Sequence, residues 1–362
     1  MNREPIAEVA NGSPTRSRRG CPQVLFWNRT RIGLLSLGII ALTWLPIDRM
    51  PGDPTPARRL QGLGDNPILG FAFAPDGATI ATIQWDGRVA LRDVAGGVSA
   101  PSFLDHRGLA WALAFSPDGR SLAVGGTEAD TLLYDVGTGG AGHPLGMPIR
   151  SVKGLALSPD GRTLAASSEF DHEILLWDLA AGKERARLRA HGSPVLSLTF
   201  APDGRSLASG GQSDGAIVLW DLATRRPRRR LTMPRDAVFS LSYSPDGQWL
   251  ASTRSLERPV RLWDLEGRQG DRLIGSHSHS SQSVAFSPVG RLLTTAGADR
   301  AARLWDLATG AELRRLGGPG DRITGVVFSP DGRTLAASGE DADLRLWDLA
   351  DLLGSGPDPS SQ

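Results

Sequence analysis

Cysteine is almost missing from this chain: Cys21 is the only one in 362 residues. An internal disulfide is therefore excluded, as is a cysteine-based zinc site, and the redox compartment is left open. Lysine is nearly as scarce. Lys153 and Lys183 stand alone, so arginine carries the positive charge, a bias of composition rather than a sign of function. Neither sign of charge is in excess, because the net charge is +1. That leaves no global electrostatic footprint for nucleic acid, and no nucleic-acid partner is expected. No P-loop and no HExxH helix is present, and no cofactor or metal is expected. Long apolar runs are also lacking, with one exception at residues 32–47.

Glycine (44) and proline (25) are abundant instead, as a chain with many tight turns requires. The stretch His191 to Leu222 shows how they are used. An alternating apolar segment (Val195, Leu198, Phe200) leads into a Pro-Asp-Gly turn, then a short strand, a Gly/Asp turn, and a strand ending in Trp220-Asp221. Period-two apolar runs bounded by Pro, Gly and Asp read as antiparallel strands joined by tight turns. The turn recurs as APDG 74–77, SPDG 116–119, SPDG 158–161, APDG 201–204, SPDG 244–247, SPVG 287–290 and SPDG 329–332. The strand ending keeps the same beat, at Arg92-Asp93, Tyr134-Asp135, Trp177-Asp178, Trp220-Asp221, Trp263-Asp264, Trp305-Asp306 and Trp347-Asp348. In the turn, Pro presets φ and Gly supplies positive φ, so SPVG keeps what the turn needs without its Asp.

A repeat of about 40–45 residues with a Trp-Asp ending marks one four-stranded blade of a propeller. On these motifs residues 57–350 strongly resemble the WD40 (WD-repeat) family. The expected fold is all-β, a seven-bladed β-propeller. The resemblance also implies a buried network in each blade. In it a His before the first strand, a Ser or Thr in the second, an acid in the next turn and the strand-ending Trp bond to one another. His191, Ser209, Asp214 and Trp220 match it in full. The acid position holds Asp86, Glu128, Asp171, Asp214, Glu257, Asp299 and Asp341, while His recurs only at His106, His191 and His277. Gly64, Pro148, Pro234 and Pro319 stand at the His place elsewhere, so those networks are incomplete. Trp177, Trp263, Trp305 and Trp347 complete the expected structural set. These His and Asp residues look catalytic singly, but the repeat accounts for each.

Residues 1–31 read as a basic, disordered arm carrying Arg16, Arg18, Arg19, Arg29 and Arg31. The uncharged run IGLLSLGIIALTWLPI, 32–47, lies between Trp27 and Asp48, with Trp44 near its end. Basic residues before it and interfacial Trp read as a signal-anchor with the propeller extracytoplasmic. The run is short for a span, which needs about 20 residues. A cleaved signal peptide, giving a secreted or periplasmic protein, and a helix packed on the propeller are the competing readings. Residues 48–56 form a Pro-rich spacer, and 351–362 a disordered tail. The last repeat ends at Trp347-Asp348 without a fourth strand, whereas ARRLQGL, 57–63, precedes the first repeat. The N-terminal strand should therefore complete the last blade and close the ring.

In the family one face is exposed at two places per repeat: five residues before the turn motif and one before the acid. The first set is Leu69, Trp111, Lys153, Leu196, Phe239, Gln282 and Thr324; the second is Trp85, Thr127, Phe170, Ser213, Leu256, Ala298 and Glu340. Large aromatics gather among them, and aromatics dominate binding hot spots. The expected partner face is Trp85, Trp111, Lys153, Phe170, Leu196, Phe239, Arg322 and Glu340; the plain alternative is that these residues only line the central funnel. TRRPRRR, 224–230, reads as edge protection rather than a phosphate site. His277-Ser278-His279 reads as loop rather than metal site. The functional expectation is a monomeric, non-catalytic platform for a protein or peptide, tethered to a membrane through 32–47. The alternatives are a propeller enzyme with a channel-mouth site and a periplasmic propeller of the TolB kind, which also uses SPDG turns.

Overall fold

The computed structural model describes residues 56–354, apart from 57, 61–65, 96–101, 105, 107, 128–129, 233–235, 256–258 and 318–321. The basic arm, the apolar run 32–47, Cys21 and the end of the tail lie outside the described residues. So do Gly64, Glu128, Pro234, Leu256, Glu257 and Pro319. The described residues form seven four-stranded antiparallel sheets and one short helix, an all-β seven-bladed propeller. Among them no helix is long and apolar enough to cross a membrane.

Blade four shows why the sequence folds this way. Its strands, from centre to rim, are Val195–Phe200, Ser206–Gly211, Ala216–Asp221 and Arg226–Thr232. The third strand is buried over Ala216–Trp220 because a neighbouring blade covers each of its faces. Hence it reads as a continuous apolar run. The outer strand has solvent on its edge and exposes Arg226 to Arg230. The core lies between blades: Ile174 and Leu176 of blade three pack in one cluster with Val195, Phe200, Leu207 and Trp220 of blade four.

The repeated turn joins the first two strands of each blade. In blade three the Gly161 N–H donates to the Ser158 carbonyl at 2.8 Å with Gly161 at φ 70°. The Ser158 hydroxyl donates to Asp160 at 2.5 Å and accepts from the Thr163 N–H at 2.9 Å. This is why Ser, Pro, Asp and Gly recur as a unit. SPVG also turns, with the Gly290 N–H 2.9 Å from the Ser287 carbonyl. The turns also touch one another around the ring. A methyl built on each turn glycine would meet the proline ring of the preceding blade at 3.3–3.8 Å, from Gly119 on Pro75 round to Gly77 on Pro330.

The ring closes as the missing strand implies. Arg58–Leu60 pairs antiparallel with Leu344–Asp348, placing Arg58 opposite Leu346 and Leu60 opposite Leu344. Leu60 is buried with Ile68, Phe73 and Ile80 of blade one and Leu344 and Leu346 of blade seven. The Thr324 hydroxyl adds a bond to the Ile68 carbonyl at 2.9 Å across the same seam. Leu60→Ala should therefore cost about 2 kcal/mol or more of stability. Deleting residues 1–62 should in addition broaden the unfolding transition. A urea midpoint for Leu60→Ala equal to wild type contradicts this closure.

The chain departs from expectation after Asp348. Leu349–Leu353 form a helix where the sequence reads as featureless tail from 351. In other blades the Asp of Trp-Asp holds a turn, as Asp306 does by accepting from the Thr309 N–H at 2.7 Å. Here the Asp348 side chain caps a helix instead, accepting from the Ala350 N–H at 2.8 Å. Leu349 and Leu352 are buried against Trp347 and Phe328.

Candidate functional site

Antiparallel order puts the Pro-Asp-Gly turns at one end of the propeller. The turns between second and third strands, and the loops entering each inner strand, lie at the other. The positions five before each turn motif share a physical cause at that second end. Each falls where the inner strand's register slips: Leu69 between Ile68 and Gly70, Trp111 between Ala110 and Ala112, Lys153 between Val152 and Gly154, Leu196 between Val195 and Ser197. Gln282 and Thr324 sit in the same slips of blades six and seven, and Phe239 in a wider one in blade five. A β-bulge leaves its extra residue unpaired and re-aims the side chain. The backbone thus displays one chosen residue per blade.

Three consecutive blades bring these residues together. Trp85, in the turn after Thr79–Gln84, meets Trp111 edge to face, with ring centroids 6.0 Å apart. The Lys153 ammonium lies 3.8 Å from the Trp111 ring centroid and 3.4 Å from Glu169, which also accepts from the Ser151 hydroxyl at 2.6 Å. Phe170, next in the same turn, is 72% exposed, and Trp85 is 37% exposed. Trp111 itself is half-buried, not free, because Trp85 and Lys153 cover it. Its indole N–H is buried without an acceptor. Leu196 and Phe239 are half-buried on later blades, and Arg322 and Glu340 are exposed in blade seven. The last four lie on blades four, five and seven, apart from the group Trp85, Trp111, Lys153 and Phe170 on blades one to three, which is the aromatic centre of this end.

The expected structural residues separate into complete and incomplete sets. In blade four His191 Nδ1 is 3.0 Å from Asp214 and Nε2 is 2.7 Å from the Ser209 hydroxyl, which accepts from Trp220 Nε1 at 2.8 Å. Blade six repeats this with His277, Asp299 (2.7 Å), Thr295 (2.8 Å) and Trp305 (2.9 Å). Thr295 was identifiable as the hydroxyl eight residues after Ser287. Arginines complete the acids. Arg303 reaches Asp299 at 2.8 Å, Arg345 reaches Asp341 at 2.7 Å and Arg230 reaches Asp214 at 3.3 Å.

Elsewhere the network thins. Trp263 donates to Ser252 at 2.9 Å, but Trp177 faces Ala166's strand and its N–H finds no acceptor. Asp86 pairs with Asn66 at 3.0 Å and Arg88 at 3.2 Å instead of a His, and Asp171 stays exposed. His106 is buried with Nδ1 3.3 Å from the Gly108 carbonyl. Blade five substitutes a pair that the repeat does not signal: buried Asp236 accepts from the Ser255 N–H at 3.1 Å and from its hydroxyl.

Burial alone would raise the carboxyl pKa of Asp214. The hydrogen bond and charge of His191, with the Ala216 and Gly192 N–H groups, outweigh it and hold the pKa down at about 2. Asp299 is driven well below the usual carboxylate range in the same way, by His277 and then Arg303. A carboxyl whose folded pKa is depressed stabilises the fold above its unfolded value of about 3.9, and that stability is lost as pH falls toward the folded value. Wild type should therefore lose stability between about pH 4 and about pH 2 more steeply than Asp214→Asn. Urea midpoints across that window test this, and parallel curves contradict it.

Two features imitate catalysis. Gly211-Gln212-Ser213-Asp214-Gly215 spells Gly-x-Ser-x-Gly, but it forms a hairpin turn between two strands, not the strand-to-helix elbow of a hydrolase. Ser209, His191 and Asp214 have the connectivity of a Ser-His-Asp triad. Ser209 is fully buried, however, and Trp220 already donates to its oxygen, so no substrate can meet that hydroxyl. Gly211 is required here because a side chain would strike Asp214 and His191. Among the described residues no three His, Cys, Asp or Glu side chains converge to hold a metal ion. His279 points away from the network and lies 3.2 Å from the Ser278 hydroxyl.

The arginines of 224–230 divide. Arg229 donates to the Asp264 carbonyl at 3.0 Å and Arg230 to the Ala190 carbonyl at 2.7 Å, so both fold onto the propeller. Three clefts lie at the Pro-Asp-Gly end between neighbouring blades, and none of them is lined by residues of the aromatic centre.

The family model of the WD domain, G-beta repeat, matches residues 141–178, 182–221, 225–264, 272–306 and 310–348, together just over half of the chain. Each match ends on a Trp-Asp and begins near the outer strand of the blade before it. The two blades outside the matches carry Arg92 and Tyr134 where the others carry Trp. No curated protein matches the chain significantly.

Proposed function

This chain belongs to the WD-repeat family, and from that premise we propose that it is a non-catalytic platform that holds a protein or peptide on the aromatic end of its propeller. The observation that carries the reading is the group on blades one to three. Trp85 and Phe170 expose large apolar area beside a Lys153–Glu169 pair, at positions that blade packing does not require. Isolated exposed apolar residues are ordinary; a Trp85–Trp111 ring contact with Lys153 and Glu169 beside it and Phe170 next along the same turn fits a binding surface. Seven rigid blades favour such a role, because a site held by packed sheets loses little freedom on binding. Affinity capture with wild type and with Trp85→Ala tests the proposal. A partner retained by the first and lost from the second supports it, and identical retained sets oppose it.

We also propose that residues 32–47 hold the protein in a membrane with the propeller extracytoplasmic. The support is the arginine-rich segment before the apolar run and the Trp residues around it. Cell fractionation decides: full-length protein in the membrane fraction supports the anchor. Soluble protein beginning near residue 50 indicates a cleaved signal, and full-length cytosolic protein defeats both.

A further inference from the structure

Three clefts lie between neighbouring blades at the Pro-Asp-Gly end, and charge distinguishes them. The one between blades four and five sets Arg228 and Arg229 against Asp203, Asp246 and Glu266, and Arg229 already serves the Asp264 carbonyl. Between blades five and six, Arg272 faces Asp246. Between blades three and four, Arg185, Arg205 and Arg225 face only Asp160 and Asp221 around a cleft of about 380 Å³. Of these three it is the one with an excess of positive charge, on a molecule whose net charge is close to zero.

The three arginines come from three separate elements and line one cleft. Arg185 lies on the outer strand Lys183–Leu188 and is held by a bond from Nη1 to the Thr163 hydroxyl at 2.9 Å. Arg205 follows the APDG turn of blade four. Arg225 sits in the turn before Arg226–Thr232 with a left-handed backbone, φ 58°. The Arg205 and Arg225 guanidinium groups are exposed and make no ion pair among the described residues. The two acids are already engaged. Asp160 accepts from the Ser158 hydroxyl and the Arg162 N–H, and Asp221 from the Thr224 N–H and hydroxyl at 2.7 and 2.9 Å. These turn bonds hold both carboxylates ionised, so three arginines against two acids leave the cleft a surplus of one positive charge. Below the charged rim the cleft reaches buried Leu176 and Phe200, and the more open Leu222 and Ala223 form its apolar side.

Arginine's planar fork matches phosphate oxygens in pairs, and an apolar wall gains from covering an apolar body. We propose that the cleft between blades three and four binds a phosphate monoester carried on an apolar body, its anionic head between Arg205 and Arg225 and its body against Leu222 and Ala223. Arg185 supplies a third charge from the rim. This site is independent of the aromatic end.

Calorimetric titration of the full chain with phenyl phosphate tests the assignment. One site per chain is expected. Arg205→Ala combined with Arg225→Gly, which keeps the left-handed backbone, should weaken binding by about tenfold or more without changing the melt. Arg185→Gln should weaken it less, and Arg272→Ala, in another cleft, should leave it unchanged. Phenol should not bind, and inorganic phosphate should bind about tenfold more weakly than phenyl phosphate. A short phosphotyrosyl peptide binding more tightly than phenyl phosphate identifies a protein as the source of the ester; equal binding leaves a small molecule. Absence of saturation at about 10 mM, in the range of a very weak complex, overturns the proposal. So does wild-type affinity in the double variant, or phenol binding as well as phenyl phosphate.

Discussion

Asp299→Ala is expected to lose about 3 kcal/mol or more of folding stability, the scale for removing one partner from a buried charged network. The Asp299 side chain is 3% exposed and joins His277, Arg303 and the Ser278 N–H. Without it, Arg303 keeps only Glu312, at 2.9 Å, and His277 keeps Thr295 alone. His277 is then a buried group with an unmet bond and Arg303 a largely buried charge with one partner fewer, which is costly. Asp86→Ala provides the contrast. Asp86 holds the same place in its repeat, but its ion partner Arg88 is 59% exposed. Exposed pairs contribute about 0–1 kcal/mol, so this loss should be small. Denaturant midpoints for the two variants decide the point. Equal losses would show that repeat position, and not the completed network, sets the stability of a blade.

The second large effect is on binding. Trp85→Ala should weaken partner binding by about thirtyfold, equivalent to about 2 kcal/mol, and Phe170→Ala by a comparable amount. Phe170→Ala should hardly shift the melt, because that side chain is 72% exposed, and Trp85→Ala, at 37% exposure and against Trp111, should shift it only modestly. Trp111→Ala is different. Lys153 rests on that ring and Trp85 abuts it, so its removal should reduce binding and also loosen the Lys153–Glu169 pair. Titration with a captured partner, beside a melt of each variant, separates the two kinds of residue. A Phe170→Ala variant that binds like wild type would remove the most exposed member from the face.

The fold was legible because two signals share one period. Pro-Asp-Gly and Trp-Asp each answer a local demand, a turn and a buried strand end, and together they fix the register of every blade. The closing strand was legible from a count, since the last repeat lacks one strand and 57–63 has one to spare. The display positions were legible only through family resemblance. Their cause, the bulge at Trp111, Lys153 and their equivalents, depends on a register slip that no residue type announces. Side-chain partners across strands were less legible. Nothing in the sequence pairs Arg303 or Arg345 with an acid, yet the pleat turns each toward the acid four residues before it, Asp299 and Asp341. Trp111 reads as exposed because the sequence does not reveal that Trp85 and Lys153 converge on it. The helix after Asp348 was missed because the same Asp holds a turn in other blades.

The most direct measurement is a binding titration of the captured partner against two double variants. Trp85→Ala with Phe170→Ala removes exposed apolar area from the aromatic end. Leu273→Ala with Val289→Ala removes it elsewhere, where those side chains are 63% and 64% exposed. The account predicts a loss of about thirtyfold or more for the first and less than about threefold for the second, with both variants folded. Wild-type affinity in the first variant, or the larger loss in the second, would contradict it.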